Sequence, residues 1–285
     1  MRTPFLSAML LMAALLLPAP QAGAQTIDQA YVQQHDYADM SPVTRANVGA
    51  QVWMFTHASV GANILDGMSA LHDQDPQRYP LVRAEGDPDH PPQQARPGTI
   101  YDLDRGNPMW NEKFDLFRKA VAGGWGNVAD FAMDKLCYID QDADPDAYLR
   151  SMAGLEQSSR PTLVYTTMPL TTEADSENDL RNAYNRTVRA YAAKNDRLLF
   201  DIADLEAHDA QGRECSYTSG GQRNQRLCPG WTDDGGHLDG SGQVRLAKAW
   251  YAMAGIMAEI LYRPAPAGSM TVPGTGWSYG SGNGQ

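Results

Sequence analysis

Basic charge is scarce in this chain of 285 residues, where 23 lysines and arginines stand against 34 aspartates and glutamates, for a formal charge of −11. A field of that sign repels polyphosphates and anionic lipid, which argues against nucleic acid or a membrane surface as a partner and favours neutral or cationic substrates. Long apolar runs are missing too. The one near the start, from about Phe5 to Leu17, falls short of the roughly 20 residues a bilayer requires, and no cysteine follows it closely enough to carry a lipid, so no membrane insertion is expected. The six histidines have no metal-ligand spacing, and no internal repeat is present. The acidic series Asp140, Asp142, Asp144 and Asp146 lacks what a calcium loop needs, a glycine at its sixth position and a glutamate at its twelfth; Pro145 and Ser151 stand there. Asp144-Pro145-Asp146 reads instead as an N-cap, a first-turn proline and an acid complementing the helix dipole. No metal and no cofactor are expected.

What is present begins with Met1-Arg2, the short apolar run and Ala22-Gly23-Ala24, the pattern of a cleavable signal peptide spanning residues 1–24. A periplasmic or secreted protein starting at Gln25 is the expectation. The remaining length, roughly 260 residues, suits one α/β domain over residues 25–263. Residues 264–285, made largely of Pro, Gly and Ser, read as a disordered tail. Export fits one disulfide among Cys137, Cys215 and Cys228. Cys215 and Cys228 bracket a loop with little apolar content to order it, and closing such a loop is worth about 3 kcal/mol. Cys137 lies in an apolar run and reads as a buried, inert thiol.

Along the chain, Ser41-Pro42 opens a short helix that leads into a strand at Val52 to Thr56, and a helix over Ala62 to His72 follows. Residues 73–97 are polar and proline-rich, an irregular excursion over the sheet edge. A short strand at Thr99 to Leu103, a helix at Glu112 to Ala122, a strand at Val128 to Tyr138 and a helix at Pro145 to Leu155 come next. Then come a strand at Thr162 to Thr167, a helix at Glu177 to Lys194 through Leu180, Tyr184 and Val188, a strand at Arg197 to Ile202, and a last helix from about Gly242 to Tyr262. Strands alternating with helices at this interval imply right-handed crossovers, a mostly parallel sheet covered on both faces, and a ligand site outside the carboxyl ends of the strands.

Ser59 stands at one such end, where Trp53 to His57 runs into a turn of small residues. A hydroxyl held there has first-turn N–H groups beside it, able to stabilise an oxyanion; the alternative is an ordinary helix N-cap. A serine hydroxyl needs a base, and the base needs an orienting partner. Asp234-Gly235-Gly236-His237 supplies both on a tight turn, unless it is merely a solvated acidic loop that holds a histidine.

These residues resemble the SGNH, or GDSL-type, hydrolases, whose nucleophile follows the first strand and whose Asp-x-x-His precedes the last helix. His57-Ala58-Ser59-Val60 stands for Gly-Asp-Ser-Leu, degenerate apart from the serine. Asp234 to Gly242 is the closer match, and Thr166 to Leu170 and Leu199 to Ile202 extend the likeness over about Val52 to Tyr262. The resemblance implies a three-layer α/β/α sandwich of flavodoxin-like type, an acyl-enzyme on Ser59, His237 as base and then acid, and Asp234 as its partner. It also implies an oxyanion hole from the N–H groups of Ser59 and Gly106. The family's further asparagine is missing, since Cys137-Tyr138-Ile139-Asp140 replaces Gly-x-Asn-Asp; Asn107 is the candidate substitute. By the same resemblance the substrate is a small-molecule or glycan O-acyl ester, with hydrolysis or acyl transfer as the outcome.

His57 alternates onto the side of Ser59 and is a candidate lining residue or a structural histidine. Tyr138 lies at a strand end facing the site. Asp134 and Lys135, charged in a strand covered on both faces, demand partners, with an alternative in which Lys135 assists the oxyanion. Trp53, Trp110, Trp125 and Trp231 offer faces for stacking on sugars, although core packing is the commoner use of tryptophan. The rival to an enzyme is a noncatalytic glycan-binding protein that keeps the sheet and cleft. Nothing in the sequence sets the oligomeric state.

Overall fold

A computed structural model describes residues 25–261. The expected signal peptide and the residues beyond 261 lie outside the described residues. In chain order the elements are β1 (Gln25–Ile27), α1 (Gln29–Gln34), α2 (Pro42–Val48), β2 (Val52–His57), α3 (Val60–Gln74), β3 (Val82–Glu85), β4 (Thr99–Asp104) and α4 (Trp110–Ala120). There follow a short helical turn α5 (Gly126–Val128), β5 (Phe131–Asp134), α6 (Pro145–Ser158), β6 (Thr162–Thr166), α7 (Ser176–Lys194), β7 (Leu198–Phe200), α8 (Ile202–Glu206), β8 (Ser216–Ser219), β9 (Gln222–Gln225) and α9 (Gly240–Leu261).

The central sheet has seven strands in the order β1-β7-β6-β5-β2-β4-β3, and every adjacent pair is parallel. Alternation along β2 sends Trp53 and Phe55 to one face, packed with α3 and α9, and Val52 and Met54 to the other, packed with α4, α6 and α7. After β2 the chain builds β3 and β4 on one side, then crosses to β5 on the other. The carboxyl end of β2 is therefore the switch point of the sheet, where a crevice opens between diverging connections. On the first face α3 and α9 cross so closely that Gly67 has no room for a Cβ against the Gln243 carbonyl. Gly67→Ala is expected to lower stability by about 1–3 kcal/mol through overpacking, although alanine is the better helix former. Thermal unfolding decides this, and an unchanged melting temperature would show the crossing to be slack.

Several segments differ from the sequence reading. The excursion over residues 73–97 contains β3, an edge strand whose Arg83 and Glu85 alternate with Val82 and Ala84; Glu85 is exposed, and Arg83 reaches back to Asp66 at 2.8 Å and Asp102 at 2.6 Å. Val128 belongs to a helical turn and not to a strand. Helix α4 runs into a wide π turn over Val121–Trp125, ended where Gly124 adopts φ 126°, so the following strand is confined to Phe131–Asp134. Leu180, placed by its spacing on the buried face of α7, is 51% exposed. The buried face is set by Arg181, Tyr184, Asn185 and Val188. Its polar members hold neighbouring loops, as when Asn185 bonds both backbone groups of Met168 at 2.7 and 2.9 Å.

The loop after α8 is ordered by more than the Cys215–Cys228 disulfide. It contains an antiparallel hairpin of β8 and β9, turned at Gly220-Gly221 with φ of 55° and 79°, the two-residue turn that favours glycine. Tyr217, Ser219 and Asn224 all donate to Asp179 on α7, at 2.7, 2.7 and 2.6 Å.

Candidate active site

Ser59 adopts φ 58° and ψ −114°, a conformation that L-residues seldom occupy. Its side chain makes no capping bond to α3. The cap reading would turn Oγ toward the first-turn N–H groups; here Oγ instead lies 2.6 Å from His237 Nε2. Gly61 and Ala62 donate to the carbonyls of Ala58 and Ser59, whereas the N–H of Ser59 has no acceptor among the described residues. Next to this turn the ring of His57 packs against Gly61, which has no space for a Cβ.

His237 is held by its own turn. Asp234 Oδ2 accepts from Nδ1 at 2.7 Å, and Oδ1 accepts the N–H groups of Gly236 at 2.9 Å and His237 at 2.7 Å. This arrangement assigns the ring proton to Nδ1 and leaves Nε2 to accept from Ser59. The His237 N–H, then that of Gly236, then the imidazole hold the Asp234 carboxyl well below the usual carboxylate range. The turn is docked on α3 by Asn63, whose Oδ1 accepts the Leu238 N–H at 3.2 Å, and on the loop after β6 by the bond from the Thr172 N–H to the Gly235 carbonyl at 2.9 Å. His237 and Asp234 keep 42% and 57% of their side chains exposed, so the site is open. A concavity of about 560 Å³, lined by Arg45, Asp75 and Pro80 among others, lies at the other edge of the sheet, where the amino ends of the strands are.

The remaining candidates divide. Tyr138 lies in the site, its hydroxyl 3.5 Å from His237 Nε2 and its ring edge-on to the imidazole at 5.5 Å. Asn107 stands beside the turn, its Oδ1 accepting from Cys137 Sγ at 3.0 Å, and that thiol also faces the Ala58 carbonyl. Gly106 does not serve as expected. Its N–H donates to Asp104 Oδ1 at 2.9 Å and is thereby occupied. His57 does not line the site either; it is fully buried, with Nε2 at 2.7 Å from Asp102 Oδ1. Burial alone would raise the Asp102 carboxyl, but His57 and Arg83 hold it below its ordinary value.

Lys135 is likewise fully buried and faces Cys137 Sγ at 3.7 Å, behind the Ser59 turn, so it is not placed to assist an oxyanion. Asp134 finds its partner in Arg105 at 3.0 Å, with Thr56 donating at 2.7 Å. Trp53 and Trp125 are core residues with no free face, and one face of Trp231 is covered by Arg245. Sequence reasoning passed over Asn63, Arg105 and Arg181. Arg105 directly after a strand in a covered sheet is the signal that could have found one of them, since a buried guanidinium needs a carboxylate.

Beneath the site, burial pushes the Glu206 carboxyl up to about 8 from an ordinary 4.5, against the N–H of Leu170, which its Oε2 accepts at 2.8 Å. Between those two values the folded chain keeps a proton the unfolded chain has lost, so stability falls as pH rises through the window. Glu206→Gln removes this loss. The variant is expected to gain on the wild type by about 2–4 kcal/mol between pH 4 and pH 8. Denaturant unfolding at both pH values measures it, and a gap that does not change with pH would refute the assignment.

Comparison with protein-family models finds no match to the chain, and comparison with curated proteins finds none. Among solved structures, the chain is similar to a Bacteroides fragilis protein provisionally assigned as an acylhydrolase, at 11% identity and a TM-score of 0.49, covering 78% of this chain and 99% of that one. It is also similar to a Desulfitobacterium hafniense protein provisionally assigned to the G-D-S-L family of lipolytic proteins, at 8% identity and a TM-score of 0.45, covering 71% of this chain and 98% of that one. Likeness at this level bears on neither activity nor substrate.

Proposed function

We propose that this chain is a divergent SGNH-type serine hydrolase that cleaves an O-acyl ester through an acyl-enzyme on Ser59. The observation that carries the reading is the Ser59 turn itself: a strained backbone, no cap bond, and a hydroxyl aimed at His237. Such strain persists only where the surroundings enforce it, and it clusters at functional sites. In the reaction, Oγ attacks the acyl carbon as Nε2 takes its proton, and Asp234 stabilises the imidazolium that results. The Ser59 N–H receives the oxyanion, with the Asn107 side chain as the second donor in place of the occupied Gly106 N–H. The proton then passes from Nε2 to the leaving oxygen, and water reverses the sequence to free the serine; an acceptor alcohol in place of water would make the enzyme a transacylase.

An open site suits a short acyl group carried on a large polar alcohol, so the substrate class we assign is an O-acetyl ester, carbohydrate-linked by family resemblance. Export is part of the same reading and draws support from the joined Cys215 and Cys228. A noncatalytic glycan-binding role is favoured by one observation, the loss of the Gly106 donor to Asp104. The test is a pre-steady-state assay with an activated acetyl ester. An initial burst, an acetyl mass on the Ser59 peptide and steady turnover are expected, all absent from Ser59→Ala. Turnover that survives in Ser59→Ala would sink the reading, and no turnover in the wild type would leave binding as the better account.

A further inference from the structure

Tyr138 is built into the site with more care than a lining residue needs. Its loop follows β5 and is clamped from several sides. Asp140 Oδ2 accepts the Cys137 N–H at 2.7 Å, Lys113 holds both Asp140 oxygens at 2.8 and 2.6 Å, and the buried Arg181 donates to the Tyr138 carbonyl at 2.5 Å. The ring lies on Gly236, where an added Cβ would stand 3.0 Å from Cζ, so glycine is what lets the phenol reach the histidine. The neighbouring Ile139 points the other way and is 49% exposed. The hydroxyl lies 3.5 Å from Nε2. Burial, then the charge of Asp234, raises the phenol above its ordinary value, so it remains a donor through the neutral range.

The position has a specific chemical meaning. Nε2 must hand its proton to the leaving oxygen, so that oxygen has to arrive within hydrogen-bonding distance of Nε2, where the Tyr138 hydroxyl already is. Resting on the hydrolase reading above, we infer that Tyr138 is a catalytic residue that donates a hydrogen bond to the leaving alkoxide, fitting the site to esters of alkyl and sugar alcohols. The carbon–oxygen bond breaks with its electron pair on the leaving oxygen. The proton that neutralises it comes from Nε2, and Tyr138 keeps its own throughout. A basic leaving oxygen, as in an alkyl or sugar alcohol, gathers the most charge and gains the most from this bond; a nitrophenolate needs little help.

The experiment compares kcat/KM for 4-nitrophenyl acetate and for ethyl acetate in the wild type, Tyr138→Phe and Ser59→Ala. Phenylalanine keeps the ring packing on Gly236 and His237. Tyr138→Phe is expected to stay within about 3-fold of the wild type on the aryl ester and to lose about 10²-fold on the alkyl ester, the usual scale for a positioned proton donor. A full burst with the aryl ester establishes that the variant is folded and that Ser59 is intact. Equal losses on both esters, or none on either, would overturn the inference while leaving the hydrolase reading in place. A wild type inactive on both esters, or a Ser59→Ala that retains activity, would strike the hydrolase reading itself and the inference with it.

Discussion

Ser59→Gly is expected to abolish ester turnover, by about 10⁴- to 10⁶-fold, and yet to fold more stably than Ser59→Ala. The two variants lose the same nucleophile, so any difference in their stability isolates the backbone. At an ordinary position glycine is worse than alanine by about 0.5–1 kcal/mol, because it gives up more freedom on folding. At φ 58° and ψ −114° the order should invert, since alanine must bear a conformation that costs about 1–3 kcal/mol and glycine need not. Chemical denaturation of both proteins measures the sign. Alanine at or above glycine would mean that the turn is not strained, and would remove the observation on which the hydrolase reading rests.

The other large effect lies in the interior. Lys113 and Asp140 are a buried ion pair with 0% and 5% of their side chains exposed. Lys113→Met leaves a carboxylate in the interior without its counter-charge, and removing one partner of such a pair typically costs about 3–5 kcal/mol. For a chain of this size that is a drop of roughly 10 °C in melting temperature. Adding Asp140→Asn should recover most of the loss, because the amide oxygen still accepts the Cys137 N–H without carrying charge. A single variant that loses under about 1 kcal/mol would mean that water reaches Asp140 and that the loop bearing Tyr138 is held by Arg181 alone.

Those two residues mark what the sequence could and could not convey. Ser59 was legible because a strand pattern ends two residues before it, and a strand-to-helix turn fixes where a side chain emerges whatever surrounds it. Asp234 and His237 were legible because their contact is local, three residues apart on one turn. The alternation of strands and helices was enough to fix the parallel, two-faced sheet. Distant polar pairing was not legible. In the sequence Asp134 and Lys135 announce only that a buried charge needs a partner; Asp134 finds Arg105, and Lys135, just past the end of β5, faces Cys137. The Gly106 donor was misplaced for a related reason, since a turn two residues long lets Asp104 take the N–H first. The β8–β9 hairpin carries a visible Gly-Gly turn, but its strands are polar on both faces and lack the alternation that announces a strand.

The pairing of β1 with β7 has a kinetic side. Gln25–Ile27 lies beside Leu198–Phe200, so the first strand of the described chain waits for one made some 170 residues later before its hydrogen bonds can close. Contacts of such long sequence separation slow folding, because loop entropy is lost before the contact rewards it. A chain laid out in this way leaves that strand unpaired until synthesis has passed Phe200.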